Sequence, residues 1–415
     1  GMFAFSCVTD TTEDLGVNLG EGQSTTIDIS LEESRTHLGV KDKDGKEYPL
    51  YWSKGDQIAV NGKASDALGE EYHGQTQATF KFTGTLLNYP YNIVYPAPAE
   101  GVTAEKAGNY PVTFKTSQVY TEGSFAEGSV PMYGYVEDEN DATTLNHLTG
   151  VLRIALYGTE VTLNAMTLSA ESGKLSGNFD VDCTTGELTA HADASNTLSV
   201  SFGKGLTIAT AEAEATPIYV AVPEGDYGKI TITFYSSKGA MTKSFDTTEK
   251  PITAGSVREF AALEYVEGIT DTFIIYDEAS LRNFANRVNA AEANFDNTYP
   301  NARVVADITL SGTEPWVSIN GYTGSFDGGN HEIVNLDAPL FGTTQAVAIK
   351  NVHLTGVKIE SAPLAITATT PLGLGALACG VNNENAEISN CSAEGTIIVE
   401  SEAALTENLG LGGVI

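Results

Sequence analysis

A four-residue phrase that returns three times constrains this chain more than any other feature. Ile333-Val-Asn-Leu336, Ile349-Lys-Asn-Val352 and Ile388-Ser-Asn-Cys391 each carry an apolar residue first, Asn third and an apolar residue fourth. The copies start 16 and then 39 residues apart. A repeated strand-sized unit cannot bury its apolar face alone; it does so by stacking on its neighbours. The phrase therefore predicts a right-handed β-helix-like solenoid with unequal turns and one long loop. Asn335, Asn351 and Asn390 are placed at equivalent corners, where their side chains reach backbone groups that a turn leaves unpaired. The alternative is an ordinary β-sandwich with Asn in three turns by chance.

The rest of the chain is too long for one core: 415 residues imply about two to four domains. Residues 1–26 read as a signal remnant and acidic tether, Gly1 before Met2 having the form of a tag scar. Residues 27–141 alternate as strands do, clearly at 27–31 and 78–82, and end in the acidic turn EDEND at 137–141. The run DKDGK at 42–46 reads as a hairpin turn, and its Gly stands too early for a calcium loop. In 142–266 further alternating strands occur near 166–169, 198–202, 218–222 and 230–234, ending in a strand at 257–260 and a linker at 266–269; one face in and one face out predicts a sandwich. Residues 270–415 hold the repeats, preceded by one clear helix. Asp277 can cap that helix, and Leu281, Phe284, Ala285 and Val288 form its apolar stripe, suited to plug the open end of the solenoid. The chain stops on the apolar phrase LGGVI at 411–415, so either a partner caps that end or the protein continues.

Charge narrows the partners. Twenty-two Lys and Arg face 54 Asp and Glu, a net charge of −32, which repels nucleic acid and anionic headgroups. No apolar run is long enough for a spanning helix. The cysteines, Cys7, Cys183, Cys379 and Cys391, show no metal-ligand spacing; Cys379 and Cys391 either meet on neighbouring turns or act as two small apolar residues. His147 lacks partners at a metal spacing. No metal and no cofactor is expected.

Three groups of phrases carry resemblances. FDGGNHEIVNL (326–336), PLFG (339–342), AIKNVHLTG (348–356) and GALACGV with AEISNCSAEGTI (375–381, 386–397) resemble GLUG-repeat β-helix domains of bacterial surface proteins, although 375–380 has one residue more than the usual pattern. SRT (34–36), LYWSKGDQIAV (50–60) and YNIVYP (91–96), with LNHLTGVLRIAL (145–156), resemble the two domains of the fimbrillin family of Bacteroidales. MFAFSC (2–7) resembles a loose lipobox, which makes Cys7 a candidate lipid-bearing residue and a lipid anchor the sole membrane contact.

Together these imply an all-β chain: two tandem fimbrillin-like β-sandwiches, then a parallel β-helix-like GLUG solenoid with an N-terminal capping helix. The resemblance further implies a surface adhesin or fimbrial tip or anchor subunit, outer-membrane-anchored or extracellular, whose partners are other fimbrial subunits or a surface receptor. In that family one strand is removed by proteolysis and replaced by a neighbour's. Here Ile27, Ile29 and Leu31 would lie on that strand and Arg35-Thr36 would be the cut, Arg35 being the first Lys or Arg of the chain.

Two other functions stay open. A glycan-binding surface lipoprotein needs exposed aromatics, for which Trp316, Tyr299 and Tyr322 are the solenoid candidates; Trp52 reads as core rather than as a sugar platform. A β-helix polysaccharide-degrading enzyme needs clustered carboxylates. Residues 270–415 hold 17 Asp and Glu against 5 Lys and Arg, but Asp307, Asp327 and Asp337 are scattered at strand edges, and no nucleophile, zinc or phosphate-loop motif occurs. The chain is therefore read as non-enzymatic.

Overall fold

The computed structural model describes residues 24–31, 38–41, 47–48, 50–85, 87–236, 239–268, 270–293, 295–361, 372–399 and 409–413. Strands predominate among them, and the longest helix, Glu278–Asn289, has 12 residues; the class is all-β.

Alternation builds the first core. Ser24–Ser30 runs antiparallel to Gln77–Thr83 through a seven-residue register, so Ile27 faces Phe80 and Ile29 faces Ala78 on one buried side. Trp52, 1% exposed, meets Phe80 and Tyr95 edge-on with ring centroids 5.0 and 5.3 Å away, which makes it core. The turn after Trp52 needs Gly55 at φ +90°, and Asp56 closes it by accepting from the Ser53 amide at 2.7 Å and the Tyr95 hydroxyl at 3.1 Å.

Segments on either side of the acidic turn at 137–141 pair with each other. Tyr110–Phe114 runs antiparallel to Gly177–Val181, and Ser117–Val119 runs parallel to Thr197–Thr207. A second core lies between two sheets. One is built on Thr149–Gly158 with Thr216–Pro223; the other joins Ala240–Asp246, Lys229–Ser236, Thr162–Ala170 and Thr197–Thr207 in that order. After Val257–Glu259 the chain adds a short strand, Leu263–Tyr265, inside the stretch expected to have ended at 260; Tyr265 is buried, and both strands run parallel to Thr149–Gly158.

From Thr272 the pairing becomes parallel. Thr272–Ile275, Asn301–Val304, Ser325–Val334 and Ala348–Ser361 lie side by side, and Glu387–Ser389 and Ser392–Val399 both pair with the last of these. In-register pairing stacks Phe326 on Ile349 on Ile388 and Ile333 on Leu354 on Ala393, so two apolar columns run through the stack. Two further parallel pairs, Phe341–Thr344 with Ala378–Val381 and Leu372–Gly375 with Leu409–Gly412, give the stack other faces. The last pair reads LGLG on LGLG, an identity at 37-residue spacing that marks the repeat more plainly than the Asn phrase does.

The helix Glu278–Asn289 forms as its sequence requires. Asp277 accepts from the Ser280 amide at 2.7 Å, and Ser280 Oγ accepts from the Asp277 amide at 3.0 Å, a reciprocal capping box. Leu281, Phe284, Ala285 and Val288 are buried, and Phe284 meets Phe295, Tyr322 and Phe326 at the beginning of the parallel stack. Trp316 and Tyr322, candidates for exposed sugar platforms, are 4% and 0% exposed: their rings are needed in this core.

Candidate functional site

Two places carry the residues singled out by sequence. The first is the strand Ser24–Ser30. The pattern STTIDIS, followed by Leu31, sends Ile27, Ile29 and Leu31 inward to 3%, 1% and 2% exposure, against Trp52, Ile58, Phe80 and Phe82. Its only strand partner among the described residues is Gln77–Thr83, in a two-stranded sheet. The Thr25 amide donates to the Thr85 carbonyl at 3.1 Å and the Leu31 amide to the Thr76 carbonyl at 2.7 Å, extending the register at both ends. Burial of three such side chains stabilises by about 1.5–3 kcal/mol each, so the strand is held by its side chains as much as by its ladder. Cys7, Arg35 and Thr36 lie outside the described residues.

The second place is the corner of the parallel stack. Asn335, Asn351 and Asn390 take φ of +66°, +56° and +51°, a region where Asn is among the few residues tolerated. The three are not equivalent, and this corrects the reading from sequence. Asn351 and Asn390 stack at one corner, and the residue level with them in the preceding strand is Asn330, at φ +61°. Asn335 belongs to the next corner, beside Gly356 at φ +60°. The cause is the irregularity between Asp327 and His331, where Gly328, Gly329 and Asn330 face the single residue Asn351. The first true copy of the phrase is Phe326-Asp327 followed, after two glycines, by Asn330-His331. Gly328 is required there because a Cβ would strike the Asn351 carbonyl.

At this corner the side chains bond mainly to one another, not to orphaned backbone. Asn390 Nδ2 donates to Asn351 Oδ1 at 2.9 Å and to Asn330 Oδ1 at 2.8 Å, and Asn351 Nδ2 donates to Asp327 Oδ1 at 2.9 Å. Asp327 Oδ1 also accepts from the Gly329 amide at 2.9 Å, and Arg303 stands 3.8 Å from its other oxygen. His353 bonds Ser392 Oγ at 2.8 Å on the same surface. Behind it, fully buried His331 lies 3.3 Å from Asp307, and this contact holds the Asp307 carboxyl below the usual aspartate range. Asp337, the third acid singled out, accepts from the Trp316 amide at 2.7 Å.

The side chains at this corner are spent on bonds within the stack. The three acids are committed to separate structural bonds, and no group of three or more potential metal ligands occurs among the described residues. Burial raises the Cys183 thiol to about 12 and pushes Cys379 and Cys391 upward, away from the thiolate a nucleophile needs. No described helix is long and apolar enough to cross a membrane.

No family model matches the chain, and no curated protein matches it. Among solved structures, a protein described as a cell adhesion protein from Bacteroides uniformis is similar at 16% identity, over 52% of this chain and 88% of that one, with a TM-score of 0.32. A fimbrial protein from Bacteroides ovatus aligns at 13% identity, over 55% of this chain and 48% of that one, with a TM-score of 0.25. A fimbrial assembly protein from Parabacteroides distasonis aligns at 10% identity, over 50% of this chain and 82% of that one, with a TM-score of 0.24. These scores lie below the range in which two chains share a fold.

Proposed function

We propose that the chain is a non-enzymatic surface adhesin or fimbrial subunit of a Bacteroidales cell that assembles by β-strand exchange. In this reading two tandem sandwiches carry a β-helix of the GLUG type, and a lipid on Cys7 tethers the precursor. The observation that carries it is the strand Ser24–Ser30, paired along one side, with Ile27, Ile29 and Leu31 buried in the first core and Arg35-Thr36 following in the sequence. Removing such a strand leaves the Gln77–Thr83 edge and an apolar slot open to an incoming strand of like alternation. Main-chain bonds then supply affinity and alternate side chains the register. The parallel stack with its Asn corner supports a terminal subunit that displays a module, rather than a shaft subunit of sandwiches alone.

Two measurements test this. Full-length precursor is expressed in a Bacteroidales host and its mature N-terminus read by mass spectrometry. A lipid-bearing Cys7 or a start at Thr36 fits the proposal; a start at neither overturns both N-terminal assignments. Protein nicked at Arg35 is then mixed with a labelled peptide of residues 24–36. Capture of that peptide, and not of one carrying Ile27→Asp and Ile29→Asp, is the expected result; equal capture of both sinks strand exchange.

A further inference from the structure

The sandwich strands and the helix-capped stack line an open cleft that neither the strand nor the Asn corner uses. It has a volume of about 390 Å³, within the range of roughly 300–1,000 Å³ usual for small-molecule sites. On one side stands Asn164; on the other stand Phe273, Tyr276, Asn283, Arg287 and Tyr299. Paired backbone bonds join the two sides, the Ala240 amide to the Gly268 carbonyl at 3.0 Å and the Gly268 amide to the Ala240 carbonyl at 2.8 Å.

Asn164 reaches this cleft because the strand is irregular at that residue. Both ladders of Thr162–Ala170, to Thr197–Thr207 and to Lys229–Ser236, skip from Leu163 to Ala165. Such bulges re-aim a side chain at the expense of ladder bonds. The Asn164 and Asn283 carboxamides and the Tyr276 hydroxyl make no hydrogen bond among the described residues; Asn283 is exposed at the rim, Asn164 and Tyr276 are half-buried, and burial pushes the Tyr276 phenol above its ordinary range, so it stays a neutral donor. Three uncommitted polar groups thus converge on a wall of aromatic rings.

Charge chooses among ligands. Arg287 is the cation at the wall, but Glu292 takes its Nε and Nη2 at 2.6 Å each, and its guanidinium lies 4.7 Å from the centre of the Phe295 ring. A neutralised and stacked arginine offers little to a phosphate or carboxylate, and the chain's net charge of −32 repels both. We infer that the cleft binds a neutral saccharide: a pyranose lays its C–H face on the ring of Tyr276, beside Phe273 and Tyr299, over whose rings Arg287 lies at 5.9 and 5.7 Å, and its hydroxyls bond Asn164, Asn283 and the Tyr276 phenol. The inference does not depend on strand exchange and stands or falls separately.

The test is saturation-transfer NMR on the full chain with neutral mono- and disaccharides of gluco, galacto, manno and N-acetylhexosamine configuration, plus sialic and glucuronic acids as charged comparisons. The expected result is transfer from aromatic protons to the C–H face of at least one neutral sugar. Asn164→Ala and Tyr276→Phe should each weaken affinity about three- to tenfold, the loss of one hydrogen bond, with the thermal midpoint of Tyr276→Phe unchanged. No transfer to any neutral sugar, transfer to the acids alone, or undiminished binding in both variants overturns the inference.

Discussion

The contact between Asp307 and buried His331 turns a residue-level geometry into a pH dependence. The folded chain holds the Asp307 carboxyl below its ordinary value, so the contact stabilises fully above the unfolded pKa of about 3.9 and is lost as pH falls through the lower folded value. Urea midpoints measured from pH 5 down to pH 2 should therefore fall more steeply for the native sequence than for Asp307→Asn; parallel curves would show the pairing to be inert. The difference is small, because the Asp307 side chain is 66% exposed. Asp307 was legible as a strand-edge acid, but nothing in its neighbourhood announces His331, which comes 24 residues later and is paired by the stack. Trp52 was readable as core because alternating strands surround it. Trp316 and Tyr322 were not, since a lone aromatic in a loop looks the same exposed or buried.

At the scale of elements, the helix Glu278–Asn289 was the most legible, since cap and stripe are local. Asp277→Ala removes the bond to the Ser280 amide and should lower stability by about 0.5–2 kcal/mol, read as a shift in the chemical midpoint. An unchanged midpoint would mean that packing of Phe284 and its ring neighbours alone fixes the helix. The repeated phrase predicts the parallel strands but not their register. Residue spacing aligned Ile333 with Ile349, whereas the structure aligns Phe326 with Ile349. Two glycines inside the first copy hide it from a search for a four-residue phrase, although the run DGGN at 327–330 is its visible trace.

For the whole molecule the dominant quantity is charge. A net charge of −32 on a folded chain opposes compaction through self-repulsion, and salt screens it with a Debye length falling from about 10 Å at 0.1 M to about 3 Å at 1 M. The thermal midpoint should rise as sodium chloride is increased from 10 mM to 0.5 M in a melt followed by circular dichroism. A falling midpoint would mean that ion pairs such as Arg287–Glu292 outweigh the repulsion.

The sequence by itself determined the all-β class, the inward face of the strands at 27–31 and 78–82, the helix with its cap, and the presence of a repeat. All of these follow from periods of two and 3.6 residues and from short-range hydrogen bonds. By contrast, 198–202 and 218–222, expected to turn one face outward, are buried on both faces. Only the tertiary structure decided which Asn residues stack, whether an aromatic is core or surface, and how the bulged Asn164 comes to face Tyr276 across a cleft. Those depend on strand register and on contacts between distant segments. A bulge of one or two residues changes both without altering the local pattern.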